Sequence, residues 1–192
     1  MRPFALEHSP AGFRADILLH GAATVALAAV LLLGGPRPRA LELAALALAG
    51  LGGWTLVEYV VHRFVLHGVP PFRGWHMQHH QRPHALLGTP TVVSIAAIGL
   101  LLFLPALLLG DLWRACALTL GLTAGYLAYT LTHHATHHRA ARSPWLAHRK
   151  HWHATHHHGK QPGCYGVTSG FWDVVFGTTP KTFPSRPARG PV

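Results

Sequence analysis

The sequence predicts an all-α integral membrane protein with four transmembrane helices in two hairpins and a helical cap rich in histidine. Of its 192 residues, 49% are apolar and only 11% are charged, against roughly 25% charged in soluble domains. Eighteen residues are histidines, and sixteen of these fall in the blocks 62–84 and 133–158. Because neutral imidazole is the commonest metal-binding side chain, this distribution predicts a metal site beside the membrane helices.

Four apolar runs are the predicted spans, at about 15–33, 40–61, 91–109 and 112–132. The third holds nineteen residues without a charge, close to the roughly 20 helical residues that cross a hydrocarbon core. Its Pro105 is expected to kink the helix. The first two runs, rich in Ala and Gly, could instead be core helices of a soluble protein, but the uncharged third run argues against that alternative.

The whole chain, 1–192, is predicted to form a single domain, since one domain takes roughly 150 residues. The first apolar run could be a cleaved signal peptide, but its polar lead carries Glu7 and Asp16 and the run is long, so we expect it to remain. We assign the histidine cap to 62–90 and 133–178. The tail, 180–192, is rich in Pro and Arg and is expected to be disordered.

Two hairpins place the N-terminus and both histidine blocks on one side of the membrane. Thirteen of the sixteen Lys and Arg residues lie on that side, and Arg37, Arg39 and Arg114 lie on the other. The positive-inside rule then predicts a cytoplasmic cap, in an inner or plasma membrane.

The formal charge of +10 raises the possibility of nucleic-acid binding. The cations are scattered among apolar spans and histidine boxes and form no basic helix, so we predict no nucleic-acid partner. Only Cys116 and Cys164 are present as thiols, which makes a disulfide framework or a thiolate metal site improbable.

The histidines at chelating spacings form four boxes of the types HxxxxH, HxxHH, HxxxH and HxxHH. Their members are His62 and His67; His76, His79 and His80; His133 and His137; and His153, His156 and His157. Residues three and four apart share a helix face, so the three histidines of the last box are expected to aim at one point. His62 and His67 would point about 140° apart on an α-helix, which favours binding to different metals, or a position astride a helix end, over chelation of one ion.

Ten imidazoles suffice for two ions, because a transition-metal site takes five or six ligands. All-nitrogen ligation suits iron, zinc and copper alike. Two redox ions beside a membrane, without a nucleophile motif, point to oxygen activation against a lipid carbon. A histidine-rich metal transporter or store is the alternative, but transporters place ionisable ligands within their spans, and within the predicted spans only His20 would do so.

Three assignments stay open on spacing alone. His134 and His138 read as HxxxH just as His133 and His137 do. Glu58, one turn before His62, could orient that imidazole or pair with Arg63.

Asp173 could support the site or cap a short helix beginning near Ser169, and we favour the cap. Six histidines exceed what two ions need: His84, His134, His138, His148, His151 and His158.

At these boxes the chain resembles the fatty acid hydroxylase superfamily, which includes sterol desaturases, membrane fatty acid hydroxylases and carotenoid hydroxylases. The resemblance covers roughly residues 54–178. Two flanking motifs are closest to the fatty acid 2-hydroxylase branch: Glu58-Tyr-x-x-His62-Arg-Phe, and Gly166-Val-Thr-Ser-x-x-Trp172-Asp173-x-Val-Phe-Gly-Thr178. The family's order of tyrosine, histidine and histidine pair also favours His133 and His137 over their neighbours.

The resemblance implies a dimetal centre of two Fe ions, held by the ten boxed histidines, that uses O2 as co-substrate to hydroxylate a lipid acyl chain. Zinc could replace iron in purified protein. Desaturation, or oxidation of a sterol or carotenoid, is the alternative within the superfamily. Since no cytochrome b5-like domain is recognisable, the expected electron donor is a separate partner, namely a cytochrome b5-like protein, a ferredoxin or a reductase.

Overall fold

The structure, a computed structural model, describes residues 7–159 and 161–180. Within these ranges the regular elements are helices, and an isolated bridge joins Glu7 to Leu87. The predicted disordered tail lies, apart from residue 180, outside the described residues. The predicted all-α class is confirmed.

Along the described residues there are eight α-helices, a short 3-10 helix at Arg37–Arg39 and π-helical turns at Val61–Leu66 and Ile98–Phe103. They are α1 (Pro10–Gly34), α2 (Ala40–Val60), α3 (Phe72–Gln81), α4 (Thr91–Ala97), α5 (Leu104–Leu109), α6 (Leu112–His138), α7 (Pro144–His158) and α8 (Phe171–Val175). Four continuous helical stretches are long and apolar enough to cross a membrane: Pro10–Gly34, Arg37–Leu66, Thr91–Leu109 and Leu112–His138.

Two of these stretches extend beyond the predicted apolar runs. The Ser9 side chain accepts a hydrogen bond from Gly12 N at 3.0 Å, so α1 begins at Pro10, five residues before the predicted span. The helix α6 continues six residues past the predicted boundary, to His138, where Arg139 N donates to the Ala135 carbonyl. Hydropathy marks the membrane segment but not the ends of these helices.

Small residues allow α2 to pack closely along α6. A Cβ on Gly50 would lie 3.1 Å from Leu122 N, and a Cβ on Gly121 would lie 2.6 Å from Leu51 N. Gly125 leaves room for the Trp54 ring. Such close backbone approach is how helices associate in lipid. The helix α6 is the central one, because 50% of the residues in its most apolar stretch are buried, against 6–11% in the other three membrane-crossing stretches.

The third span combines a proline with a π-helical turn. Pro105 has no backbone N–H and its ring crowds the carbonyl one turn earlier, and the turn Ile98–Phe103 directly precedes it. Widening to a π-helix is a common way in which helices accommodate such an interruption.

Ion pairs join the two hairpin turns at the end of the bundle away from the histidines. Arg39 contacts both Glu42 and Asp111 at 2.9 Å, and Arg114 contacts Glu42 at 2.7 Å. The network ties the first hairpin to the second.

The segment 161–180 is held against the cap end of α2. The Trp172 indole donates to Thr55 Oγ1 at 2.9 Å, and Tyr59 Oη lies 3.2 Å from Thr178 Oγ1. Cys164 N donates to the Thr178 carbonyl at 3.0 Å, which closes the segment into a loop. This loop brings backbone carbonyls into contact with the histidines.

Candidate metal centre

The structure gathers the ten boxed histidines into two groups of five. The ligand nitrogens within each group all lie within 4.8 Å of one another. The first group is His62, His67, His76, His80 and His156, and the second is His79, His133, His137, His153 and His157. The two groups adjoin, because the rings of His80 and His157 stack with centroids 4.2 Å apart.

A π-helical turn brings His62 and His67 together. The expectation that they serve different metals is wrong, since both belong to the first group and their ring centroids lie 5.3 Å apart. Val61–Leu66 forms the π-helical turn, which bonds residue i to residue i+5. Side chains five apart therefore approach one face, and His67 occupies the residue at which the turn ends.

Each HxxHH box divides its histidines between the groups. The expectation that His153, His156 and His157 aim at one point is wrong, because His156 belongs to the first group. Conversely, His79 joins the second group while its neighbours in the box stay in the first. Residues four apart overlie each other on a helix, whereas the intervening residue is turned aside. The intervening residue therefore belongs to the other group: α3 contributes His79 to the second group, and α7 contributes His156 to the first.

On α6 the structure places His133 and His137, not their neighbours, in the second group. His133 Nε2 lies 3.1 Å from His79 Nε2, and His137 Nε2 lies 2.8 Å from His153 Nε2. His134 instead stacks on Phe13 with centroids 4.6 Å apart. The Tyr129 ring stacks on His133 at 5.6 Å, which continues the aromatic face of α6 into the cluster.

Backbone carbonyls fix the tautomers of two histidines. His62 Nδ1 lies 2.5 Å from the Tyr165 carbonyl, and His156 Nδ1 lies 2.8 Å from the Gly163 carbonyl. A carbonyl only accepts, so Nδ1 carries the hydrogen and the lone pair of Nε2 points into the group. This is how metal-ligating imidazoles are usually oriented.

The remaining contacts within the groups also run through Nε2. His76 Nε2 lies 3.0 Å from His62 Nε2, and His157 Nε2 lies 3.0 Å from His153 Nε2. Within each group, five neutral imidazoles direct one Nε2 atom each towards the others. These nitrogens carry more lone pairs than there are hydrogens among them to bond. A cation at the centre of each group would satisfy them, so the donor set fits a metal ion.

Burial keeps the cap histidines neutral. Burial, followed by the charges of neighbouring histidines, lowers the pKa of His79 and His80 to about 4 and that of His156 to about 3. It also lowers the pKa of His153 well below the ordinary value. At neutral pH these side chains therefore offer lone pairs and not charge.

Neither sequence-based role for Glu58 is correct. Its buried carboxylate contacts neither His62 nor Arg63, and it accepts hydrogen bonds from Val167 N, from Thr168 N at 2.9 Å and from Thr168 Oγ1 at 2.5 Å. Arg63 donates instead to Tyr59 Oη at 2.6 Å. Glu58 thus fixes the loop whose carbonyl orients His62.

Asp173 also organises this loop, and the expected cap is wrong. The residue is fully buried within α8, and it accepts hydrogen bonds from Tyr165 N and Gly166 N, each at 2.8 Å. The cap of α8 is Gly170, without a side-chain hydrogen bond. Asp173 therefore holds the Tyr165 peptide whose carbonyl accepts from His62.

The carbonyls of Tyr165 and Gly163 were missed, because a backbone acceptor leaves no signal in residue type. The Tyr165 ring was missed too, although it contacts His62, His67 and His156 with centroids 5.4–5.7 Å apart. Its position directly before the Gly166-Val-Thr-Ser motif was the available clue.

A cavity of about 110 Å³ adjoins the groups. Four of the boxed histidines line it, and three of these belong to the second group. The opposite wall comes from the first turns of α1, from α6 and from the segment 83–89.

Comparison with known proteins identifies the family and the fold. The family model for fatty acid hydroxylases matches residues 47–178. The chain belongs to the fatty acid hydroxylase family.

The matched region of this fatty acid hydroxylase family member contains all ten boxed histidines and leaves out α1. The chain is 34% identical over 142 residues to the dihydroceramide fatty acyl 2-hydroxylase FAH2 of Arabidopsis thaliana, covering 68% of this chain and 59% of that protein. It is 36% identical over 147 residues to the ceramide very long chain fatty acid hydroxylase scs7 of Schizosaccharomyces pombe, covering 70% and 42%.

The human fatty acid 2-hydroxylase is 30% identical over 141 residues, covering 67% of this chain and 38% of that protein. The chain thus spans less than two thirds of the length of these curated relatives.

A solved structure of full-length scs7p, in which only the hydroxylase domain is visible, has the same fold. It superposes with a TM-score of 0.78 at 26% identity and covers 94% of this chain and 71% of that one. Together with the four apolar helices, this likeness makes the chain an integral membrane protein. The predicted fatty acid hydroxylase family is confirmed.

Proposed function

We propose that this chain catalyses O2-dependent hydroxylation of a lipid acyl chain at a pair of metal ions, with iron as the working metal. The observation that carries the proposal is the pair of adjoining five-histidine groups beside a cavity that faces the membrane helices. Relatives named as fatty acyl 2-hydroxylases support the same reaction class.

The two groups would hold one ion each. Iron bound there would supply the reduction of O2, in which two electrons and two protons place one oxygen atom in a C–H bond and release the other as water. The chain itself keeps the ten imidazoles neutral and orients Nε2 inward. The carbonyls of Gly163 and Tyr165 accept from Nδ1 of His156 and His62 and so orient Nε2 of these two histidines.

The cavity supports the acyl chain as substrate. Leu66, Phe72, Trp75 and Tyr129 contribute apolar and aromatic side chains to its lining, which suit the methylene groups of an acyl chain. Its volume of about 110 Å³ corresponds to only a few methylenes. The cavity therefore selects a short part of the chain beside the second group, while the rest of the lipid stays outside.

The electron donor would be a separate protein, of the cytochrome b5-like, ferredoxin or reductase class, that reaches the cap from the cytoplasm. The positive-inside rule supports this orientation, with Arg139 and Arg142 exposed in the link between α6 and α7. Exposed cations beside the site suit an acidic donor surface.

Lipid analysis under ¹⁸O2 tests the proposal. Membranes containing the chain, iron and an electron donor should yield a lipid with one added ¹⁸O atom. Replacement of iron by zinc should abolish that product.

A product that has lost two hydrogens would instead indicate desaturation. An unchanged lipid profile with altered metal tolerance of the cells would indicate a transporter or store.

A further inference from the structure

Asp16 is a carboxylate in a membrane span that lines the cavity beside the histidine groups. It is only 7% exposed. No described residue donates a hydrogen bond to its Oδ1. Among the described residues that line the cavity there is also no Lys or Arg to neutralise it.

The neighbouring His20 does not satisfy this carboxylate. Its Nδ1 lies 3.5 Å from Asp16 Oδ1, but the hydrogen on Nδ1 is directed to the Asp16 backbone carbonyl at 2.9 Å. Its Nε2 faces Ser94 Oγ at 3.2 Å. The hydrogen on Nδ1 is thus used by the backbone carbonyl, and Asp16 Oδ1 keeps its accepting capacity.

An ionisable side chain in a membrane span is costly and usually marks a functional site with a specific partner. A buried acceptor without a donor likewise destabilises the fold that contains it. The partner that would satisfy Asp16 must bring an N–H or O–H group into the cavity.

Asp16 lies near the start of α1, on the same cavity as four of the boxed histidines. It lies seven residues beyond the cap at Ser9, which is about 10 Å along a helix axis. His133 and His137 line the same cavity. A lipid that places its first acyl carbons beside these histidines would therefore have its head group within reach of α1.

We propose that Asp16 is a specificity-determining residue that accepts a hydrogen bond from an N–H or O–H group in the head of the lipid substrate. The inference rests on the proposed function for the identity of the ligand as an acyl lipid. Asp16 thereby favours acyl chains in amide linkage or beside a hydroxyl over simple esters, and it positions the carbons next to the linkage at the metal site. The family match begins at residue 47, so this determinant lies outside the region that the family model matches.

The test measures binding and turnover of four lipids by the full chain in nanodiscs. The lipids are an N-acyl amino alcohol, its N-methyl form, its O-methyl form and a fatty acid methyl ester. Binding is read as displacement of a fluorescent acyl lipid, and turnover as oxygen added to each lipid. The variants are Asp16→Leu and Asp16→Asn, with Glu42→Gln as a matched carboxylate-to-amide control in the distant ion-pair network.

The wild type should bind the N-acyl amino alcohol more tightly than the ester. Asp16→Leu should weaken binding of that lipid about tenfold, the usual size of a hydrogen bond to a charged group. It should raise KM more than it lowers kcat, and it should leave binding of the ester unchanged. Asp16→Asn should be intermediate, because its amide oxygen still accepts.

Loss of preference with the N-methyl lipid would identify the amide as donor, and loss with the O-methyl lipid would identify the hydroxyl. Asp16→Leu should melt at the same temperature as the wild type or higher, because it removes an unsatisfied acceptor.

Equal weakening of all four lipids, or of none, would overturn the inference. If the wild type adds oxygen to none of them while the preference in binding stands, the proposed function fails and the inference about Asp16 survives.

Discussion

Replacement of Glu58 should disable the first histidine group without altering any of its histidines. The carboxylate accepts hydrogen bonds from Val167 N, Thr168 N and Thr168 Oγ1. These bonds hold the loop whose Tyr165 carbonyl orients His62.

The size of the effect follows from the donors left behind. Glu58→Ala leaves two backbone N–H groups without their acceptor, and Val167 is only 1% exposed. An unsatisfied buried donor costs about 1–3 kcal/mol, so the two together destabilise the loop by roughly 2–6 kcal/mol. Glu58→Gln keeps one oxygen for both N–H groups. It loses the charge and the second oxygen, which accepts from Thr168 Oγ1, at a cost of about 1–2 kcal/mol.

The assay is metal content per chain, measured by mass spectrometry on protein purified without chelators. We expect Glu58→Ala to fall from two ions towards one, because only the first group depends on this loop through His62 and His156. Glu58→Gln should stay near two. Full metal content in Glu58→Ala, or equal loss from both groups as judged by spectroscopy, would refute the reasoning.

Three further predictions concern the ligand register, pH and topology. His137→Ala should lose bound metal and all activity, whereas His134→Ala should keep both ions; metal loss in His134→Ala alone would show that the wrong pair was chosen. Burial lowers the pKa of cap histidines such as His80 to about 4, while in the unfolded chain the value is about 6.5. As pH falls from 6.5 towards 4, the histidines of the unfolded chain therefore take up protons before those of the folded chain. Thermal stability and metal retention should decline in that interval and stay constant from pH 7 to 9. Unchanged metal retention at pH 5 would contradict this. Cysteines introduced at Arg37 and Arg142 should react with impermeant maleimide from opposite sides of the membrane, since the two native cysteines are buried; labelling from the same side would refute the four-span topology.

The helices and the identity of the clustered residues could be read from the sequence, because both depend on local patterns. Long apolar runs predict spans, and histidines three, four and five apart predict a metal site. The resulting helix register on α6 also matches the structure, where Tyr129 stacks on His133.

The partition of histidines between the groups could not be read, because it depends on tertiary geometry. A helical wheel assumes a regular α-helix, and the π-helical turn Val61–Leu66 breaks that assumption just where His62 must meet His67. The exchange of His79 and His156 between groups requires α3 and α7 to face each other, and spacing within one helix carries no information about that.

The roles of Glu58 and Asp173 were misassigned for a related reason. Each was matched to a partner nearby in sequence, either a histidine, an arginine or a helix end. Their actual partners are backbone N–H groups of one loop, up to 110 residues away in the case of Glu58 and Thr168. Buried carboxylates seek several donors at once, and a folded loop supplies them more densely than a single side chain.

The central claim is that each five-histidine group holds one ion, and metal stoichiometry tests it most directly. Protein purified without chelators should contain two transition-metal ions per chain by elemental analysis against quantitative amino-acid analysis, whether the metal recovered is iron or the strongly competing zinc. One ion per chain, with both groups intact, would contradict the account.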